Sequence, residues 1–294
     1  MIKLIWNTQN QKNNPSDKED RDLLWGLYHK DFSDKWIYEI LNKIKFNLIE
    51  DEKNLDSNDT LIIVDSTVEK KIELYKKLKL ICSKMFLIHL GDETCIKDLS
   101  SIYKTFDYVW RTFCTGKYFN NDKVSCLPIG YKSGVKLDIE LKNTERKYKW
   151  AFMGTPHKSS RHDLLFQLSN IKPSFSFKTQ KFNKKILDVK EMTKILSLTE
   201  FVPCPNGFVH PETYRLYEAL ECECIPIVES AYKYYDRLFP NNPFLKVGRW
   251  IEAKNIIESW EKNEIEKKRE ECKSWWGEYK DKLQKSIKKK INYE

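Results

Sequence analysis

Glycine is scarce in this chain, 9 residues in 294, and proline stands at 10, which excludes a collagenous, linker-dominated or low-complexity protein. No run approaches the roughly 18 uninterrupted apolar residues of a membrane-spanning helix. The opening apolar run, Ile2 to Trp6, breaks at once on Asn7, Gln9 and Asn10, so it is too short for a signal-peptide core and reads as a first strand. Lacking anchor and leader, the chain is expected in the cytoplasm. Its 8 cysteines contain no C-x-x-C pair, and a chain of this size needs no covalent staples, so most of them read as buried thiols. Cys204, Cys222 and Cys224 lack the second ligand pair that a zinc site would need.

Core material is plentiful: 40% hydrophobic residues with 15 Phe, 15 Tyr and 9 Trp, enough for two domains of roughly 140 residues each. The 52 Lys and Arg exceed the 43 Asp and Glu to leave a net charge of +9, which favours an anionic partner such as nucleic acid, an anionic membrane or a phosphate-bearing small molecule. The dense basic stretch, Lys280 to Lys290, is interleaved with Leu283, Ile287 and Ile291 at near-helical spacing. It reads as the solvated face of a terminal helix, with weak association to a membrane surface as the other reading. No RNA or DNA motif is present and the aromatics fall inside strand and helix patterns, so nucleic acid is not an expected partner.

Apolar runs alternate with helical patterns, the signature of an α/β fold. Strands are expected at Ile2 to Trp6, Thr60 to Val64, Met85 to Leu90, Tyr108 to Phe113 and Ser125 to Leu127, with helices over Asp34 to Lys43 and Val68 to Leu78. A charged stretch from Lys136 to Lys149 reads as a connection. A second series follows, with strands at Tyr148 to Met153, Ser174 to Phe177, Phe201 to Val202, Ile225 to Val228 and Phe244 to Val247. Its helices cover Ser159 to Leu168, Val189 to Leu196 and Pro211 to Cys222, and helix runs from Trp250 to the end. Two Rossmann-like domains are expected, 1–140 and 141–294, facing each other across a cleft, with a long helical segment at the C-terminus.

The informative segment runs from Phe201 to Val228. A strand ends in a Pro-rich loop containing Gly207, and Pro211 is placed to open a helix, where its missing N–H does no harm. Arg215 and Glu218 then sit three residues apart on one helical face. A guanidinium grips phosphate oxygens and a carboxylate accepts hydrogen bonds from both ribose hydroxyls, so the pair suits a nucleotide diphosphate. The same spacing also makes an ordinary surface ion pair.

The runs Cys204-Pro-Asn-Gly207, Thr213-Tyr-Arg-Leu-Tyr-Glu-Ala-Leu220 and Cys224-Ile-Pro-Ile227 resemble the C-terminal signature of exostosin-like glycosyltransferases, with the xylosyltransferases among them nearest. The resemblance implies a GT-B architecture, a nucleotide sugar held mainly by the C-terminal domain through Asn206, Gly207, His210, Thr213, Arg215 and Glu218, and inversion at the anomeric carbon. It also implies no obligatory metal or other cofactor. One departure is Glu223, where the family pattern has Gly; at a left-handed helix end Glu costs about 1 kcal/mol relative to Gly.

Upstream, the strand Trp150 to Met153 ends in Gly154 and leads through Ser159 to Arg161. A glycine turn into a helix start can seat a diphosphate, and Arg161 can reinforce it; a plain turn and cap is the other reading. In the first half, Asp92 and Glu93 follow the strand Met85 to Leu90 and are candidates for the base that deprotonates the acceptor hydroxyl, or for helix caps. Arg111 is expected in the cleft, and His89 as a packed histidine. The D-x-D letters of Asp20-Arg-Asp22 follow no strong strand and are read as chance.

The resemblance, with the residues that carry it, implies a metal-independent inverting transfer from a UDP-sugar, xylose first, to a glycan hydroxyl. The alternatives are a noncatalytic nucleotide- or carbohydrate-binding protein of the same fold and a nucleic-acid-binding protein.

Overall fold

Two sheets, each made only of parallel pairs, organise the chain. The computed structural model describes residues 1–6, 30–179 and 187–292; Asp20-Arg-Asp22 lies outside them. The chain divides into unit 1, residues 1–129 with the chain end from Asp281, and unit 2, Gly130–Lys280.

Unit 1 is a six-stranded sheet in the order β2-β1-β3-β4-β5-β6, with β1 Ile2–Ile5, β2 Asn47–Ile49, β3 Thr60–Asp65, β4 Lys84–His89, β5 Tyr108–Arg111 and β6 Val124–Cys126. The central strands β3 and β4 are buried at every position after the first, as strands covered on both faces must be, and this is why they read as unbroken apolar runs. Helices α1 Lys30–Ile40 and α2 Ile72–Ile81 and the single turns α3 Ser100–Tyr103 and α4 Gly116–Phe119 connect them. On one face Leu61, Met85 and Leu87 pack with Tyr75, Leu78 and Phe106.

Unit 2 holds a five-stranded sheet in the order β11-β10-β9-β7-β8, with β7 Tyr148–Gly154, β8 Ser174–Lys178, β9 Thr199–Cys204, β10 Ile225–Glu229 and β11 Leu245–Val247. Its helices are α5 Arg161–Gln167, α6 Val189–Ser197, α7 Tyr214–Glu221, α8 Tyr234–Leu238 and α9 Trp250–Ser259, followed by α10 Lys262–Asn292. The chain leaves β7 for β8 on one side and returns to β9 on the other. Strand order therefore reverses between β7 and β9, and at such a reversal the loops leaving the carboxyl ends diverge and open a crevice for ligands.

Several expectations change. The units divide at Ile129/Gly130 rather than at 140/141, because the charged connection is tied to unit 2: the Leu137 N–H donates to the Glu221 carbonyl at 3.0 Å and the Asp138 N–H to Ser197 Oγ at 3.0 Å. The end of α10 belongs with unit 1, where Gln284 donates to the Glu39 carbonyl at 3.1 Å and Ile287 and Ile291 are buried. The apolar stripe that would insert into a membrane is thus core, and the lysines form the solvated face. Among the described residues no helix is long and apolar enough to cross a membrane.

Cys114 and Cys126 form a disulfide, although a chain of this size needs no covalent staple. The other six are thiols, five of them buried. Pro211 lies in the loop before α7, whose N-cap is Thr213. At the other end of α7, Glu223 adopts φ 54°, with its N–H bonded to the Leu220 carbonyl and that of Cys224 to the Ala219 carbonyl. This is a Schellman closure with glutamate in the left-handed position.

Candidate functional site

The reversal between β7 and β9 gathers most of the donor-site residues expected from sequence. Strand β7 ends in Gly154 at φ +148°, and a Cβ there would lie 2.8 Å from Arg215 Nη2. Only glycine allows the guanidinium this close to the strand end. Arg215, in the first turn of α7, donates from Nη2 to the Met153 carbonyl at 3.0 Å and lies over the Phe152 ring at 4.6 Å. Its Nη1 is buried without a partner. It makes no ion pair with Glu218, so the surface-pair reading of that spacing fails.

Arg161 opens α5. It donates from Nη1 to the Thr155 carbonyl at 3.1 Å, and its Nε is buried without a partner. Burial and then the Arg215 guanidinium push its pKa down to about 9; burial also lowers that of Arg215. Two cations near each other, each with a buried N–H group unmatched and neither in an ion pair, are a preorganised seat for a polyanion. With α5 only seven residues long, the seat rests on these guanidiniums more than on a helix terminus.

The loop between β9 and α7 supplies acceptors. The Asn206 N–H donates to Glu229 Oε2 at 2.6 Å, while Asn206 Oδ1 is buried without a partner. Thr213 is the N-cap of α7 yet makes no side-chain capping bond, and its Oγ1 is buried and unpartnered. An N-cap threonine ordinarily satisfies a helix N–H. Glu218, one turn on, has its pKa raised by burial, against the lowering pull of Arg215 and Lys132. Native proteins leave few buried polar groups unmatched, and here Arg161, Arg215, Asn206 and Thr213 each carry one. The set wants both anionic oxygens and hydroxyl donors.

Gly207 and His210 shape this loop. A Cβ on Gly207 would meet the His210 carbonyl at 2.4 Å. His210 is 6% exposed, edge-on to Tyr234 at 4.7 Å, with Nδ1 accepting the Glu212 N–H at 3.3 Å.

In unit 1 the expected residues sit differently. Arg111 ends β5 fully buried and is not a surface residue. It donates to Asp92 Oδ2 at 3.2 Å, to Tyr103 Oη at 3.2 Å and to the carbonyls of Thr112 and Phe113, and it lies 4.3 Å over the Tyr118 ring. Asp92, its carboxylate 2% exposed and its backbone at φ 61°, is committed to that pair. Neither Asp92 nor Glu93 caps a helix, since α3 begins at Ser100 after the N-cap Leu99. Glu93 is partly exposed. His89 is buried as expected, bonded through Nδ1 to Tyr103 Oη at 2.7 Å and held neutral by burial and by Arg111. Sequence reasoning missed Glu212 and Tyr234; a carboxylate directly before the N-cap of the motif helix was the available signal.

The model of the RXYLT1 C-terminal domain family matches residues 132–294, more than half of the chain and nearly all of unit 2. The chain belongs to this family. Among solved structures, Anabaena Alr3699/HepE in complex with UDP and glucose is similar over 100% of both chains at 10% identity and TM-score 0.50. The N-terminal domain of Candida albicans trehalose-6-phosphate phosphatase is similar over 99% of this chain and 96% of its own at 8% identity and TM-score 0.56. An alpha1,3-fucosyltransferase covers 91% of this chain and 80% of its own at 13% identity and TM-score 0.49. Comparison with curated protein sequences finds no match. Identities this low speak for fold alone, and for this RXYLT1-domain protein that fold is of the GT-B glycosyltransferase class: two parallel α/β sheets and a long C-terminal helix.

Proposed function

We propose that this chain is an inverting glycosyltransferase that takes a UDP-sugar, xylose first among the candidates, and transfers the sugar to a hydroxyl of a glycan acceptor. The observation that carries the reading is the set of buried, unpartnered polar atoms on Arg161, Arg215, Asn206 and Thr213 on the loops and helix starts that follow β7 and β9. Diphosphate oxygens alone would answer the arginines but not the acceptors. A sugar nucleotide supplies both, with diphosphate oxygens for Arg161 and Arg215 and hydroxyls for Asn206 Oδ1, Thr213 Oγ1 and Glu218. The exostosin-like motifs from Thr213 to Leu220 and from Cys224 to Ile227, the family match and the UDP bound by the Anabaena relative support the donor class.

In the reaction the acceptor oxygen attacks the anomeric carbon as the bond to the diphosphate breaks, and the acceptor proton passes to a base. Asp92 is committed to Arg111, so the base reading rests on Glu93. Negative charge grows on the departing phosphate. The two guanidiniums, already desolvated, stabilise that charge more in the transition state than in the ground state.

A panel of UDP-sugars, scored by thermal shift and by UDP release with and without glycan acceptors, tests the reading. Stabilisation by one donor together with acceptor-dependent UDP release is expected. Stabilisation without turnover would favour the noncatalytic alternative, and no response to any nucleotide sugar would overturn the donor assignment.

A further inference from the structure

A buried carboxylate outside the donor contacts holds their loop together. Glu212 is 3% exposed and lies between Pro211 and the N-cap Thr213. One of its oxygens accepts from the Tyr217 hydroxyl, on α7 itself, and the other accepts from the Tyr234 hydroxyl, on α8, at 2.9 Å. Tyr234 in turn packs edge-on against His210, whose Nδ1 receives the Glu212 N–H. The next tyrosine, Tyr235, donates its hydroxyl to the Pro211 carbonyl at 2.9 Å, and the same carbonyl accepts the Gly207 N–H at 3.3 Å.

Burial and then the Glu212 charge keep the Tyr217 hydroxyl protonated well above its ordinary pKa, so that hydroxyl stays a donor. The three tyrosine bonds cross from the segment 207–212 to helices with their own place in the core: Tyr217 and Tyr235 are 0% and 2% exposed. A loop of this length with a Pro-rich entry has many conformations of similar energy. Charge-assisted bonds from two directions to one carboxylate select one of them.

We infer that Glu212 is the positioning residue of the donor loop, its carboxylate, gripped by Tyr217 and Tyr234, setting the backbone so that Asn206, Thr213 and Arg215 present their unmatched atoms to the nucleotide sugar. The inference rests on the proposed donor site, but its structural half does not need a ligand. Glu212 touches no reacting atom, and its effect runs through the residues on either side of it.

The test uses the full chain as wild type, Glu212→Gln, Tyr234→Phe and the double variant, with Tyr234→Phe removing a single oxygen and keeping the ring against His210. Three quantities are read: the melting temperature, hydrogen exchange at the Gly207 amide without ligand, and affinity for UDP. Faster exchange at Gly207 and UDP binding weaker by about tenfold or more are expected, with the double variant no worse than the poorer single one, since both act through one carboxylate. Lower melting temperatures with unchanged Gly207 exchange and unchanged UDP affinity would overturn the inference and leave the network a core-stabilising feature. If the wild type binds no UDP, the donor reading fails, and Gly207 exchange alone decides whether Glu212 fixes the loop. Additive losses in the double variant would overturn the single-carboxylate account.

Discussion

Two arginines, one in each unit, show how the same side chain serves opposite ends. Both lie at the carboxyl end of a parallel sheet, and burial works against the charge of each. In unit 1 the surroundings of Arg111 overcome that penalty: burial is the largest influence, yet Tyr103, Cys95, Tyr118 and Asp92 together raise its pKa. In unit 2 burial prevails and the pKa of Arg215 is lowered, because the opposing pulls of Cys204, Glu218 and Tyr235 do not make up for it. Arg111 is complete within the protein. Arg215 and Arg161 are held dry with N–H groups unmatched, an arrangement that costs stability until an anion binds.

The sharpest way to break this comparison is to truncate the satisfied arginine. Arg111→Ala leaves the Asp92 carboxylate buried alone and should destabilise unit 1 by about 3–5 kcal/mol, read as a loss of melting temperature and of folded yield. Asp92→Asn should act in the same direction. If Asp92→Asn instead abolished turnover with stability intact, Asp92 would be the base after all.

How much of this was legible beforehand varies by residue. Strands β3, β4, β7 and β10 announced themselves because their central runs are apolar on both faces. Strand β2 went unread: it is three residues long, with Asn47 and Leu48 exposed, and its existence depends on pairing with β1 rather than on its own pattern. Proline at 211 pointed to a helix start, but the helix waits for Thr213 because the Pro211 carbonyl is engaged by Gly207 and Tyr235. Arg215 and Arg111 look alike in the sequence. Which of them is free to bind depends on Asp92, 19 residues from Arg111, and on Met153, 62 residues from Arg215, distances over which spacing carries no information.

A smaller change acts on the unsatisfied side. Gly154→Ala places a methyl against Arg215 Nη2 at a backbone angle that L-residues avoid. A stability cost of about 1–2 kcal/mol is expected, with UDP-sugar affinity falling roughly ten- to a hundredfold as the guanidinium shifts. Unchanged affinity by calorimetry would show that the approach of Arg215 to the strand end is irrelevant to the donor.

The pH dependence of Glu218 comes next in size. Its folded pKa is raised by burial, so the native state holds the proton to higher pH than the unfolded chain. That burden is absent below the ordinary carboxylate range, near about 4.3, and fully present above the folded pKa. Glu218→Gln should therefore gain stability relative to wild type as pH rises from acid toward neutral. UDP-sugar affinity, which uses the ionised carboxylate, should fall for the wild type as pH drops through the same window and stay flatter in the variant. Parallel curves for the two proteins would remove Glu218 from the site.

The smallest effect is expected at the far end of α7. Glu223→Gly relieves the left-handed strain, worth about 1 kcal/mol, and loses the contact of Glu223 with Lys273 at 3.3 Å, a half-exposed pair of little value. A melting temperature equal or slightly higher, with unaltered donor affinity, is the expected result.

The most direct test is the UDP-sugar response of Arg215→Ala beside the wild type, by thermal shift and calorimetry. The expectation is an unliganded variant as stable as wild type or more so, because a charge with a buried, unmatched N–H has been removed, and a loss of nearly all donor-induced stabilisation. A variant that binds the donor as the wild type does, or that unfolds as Arg111→Ala is expected to, would contradict it.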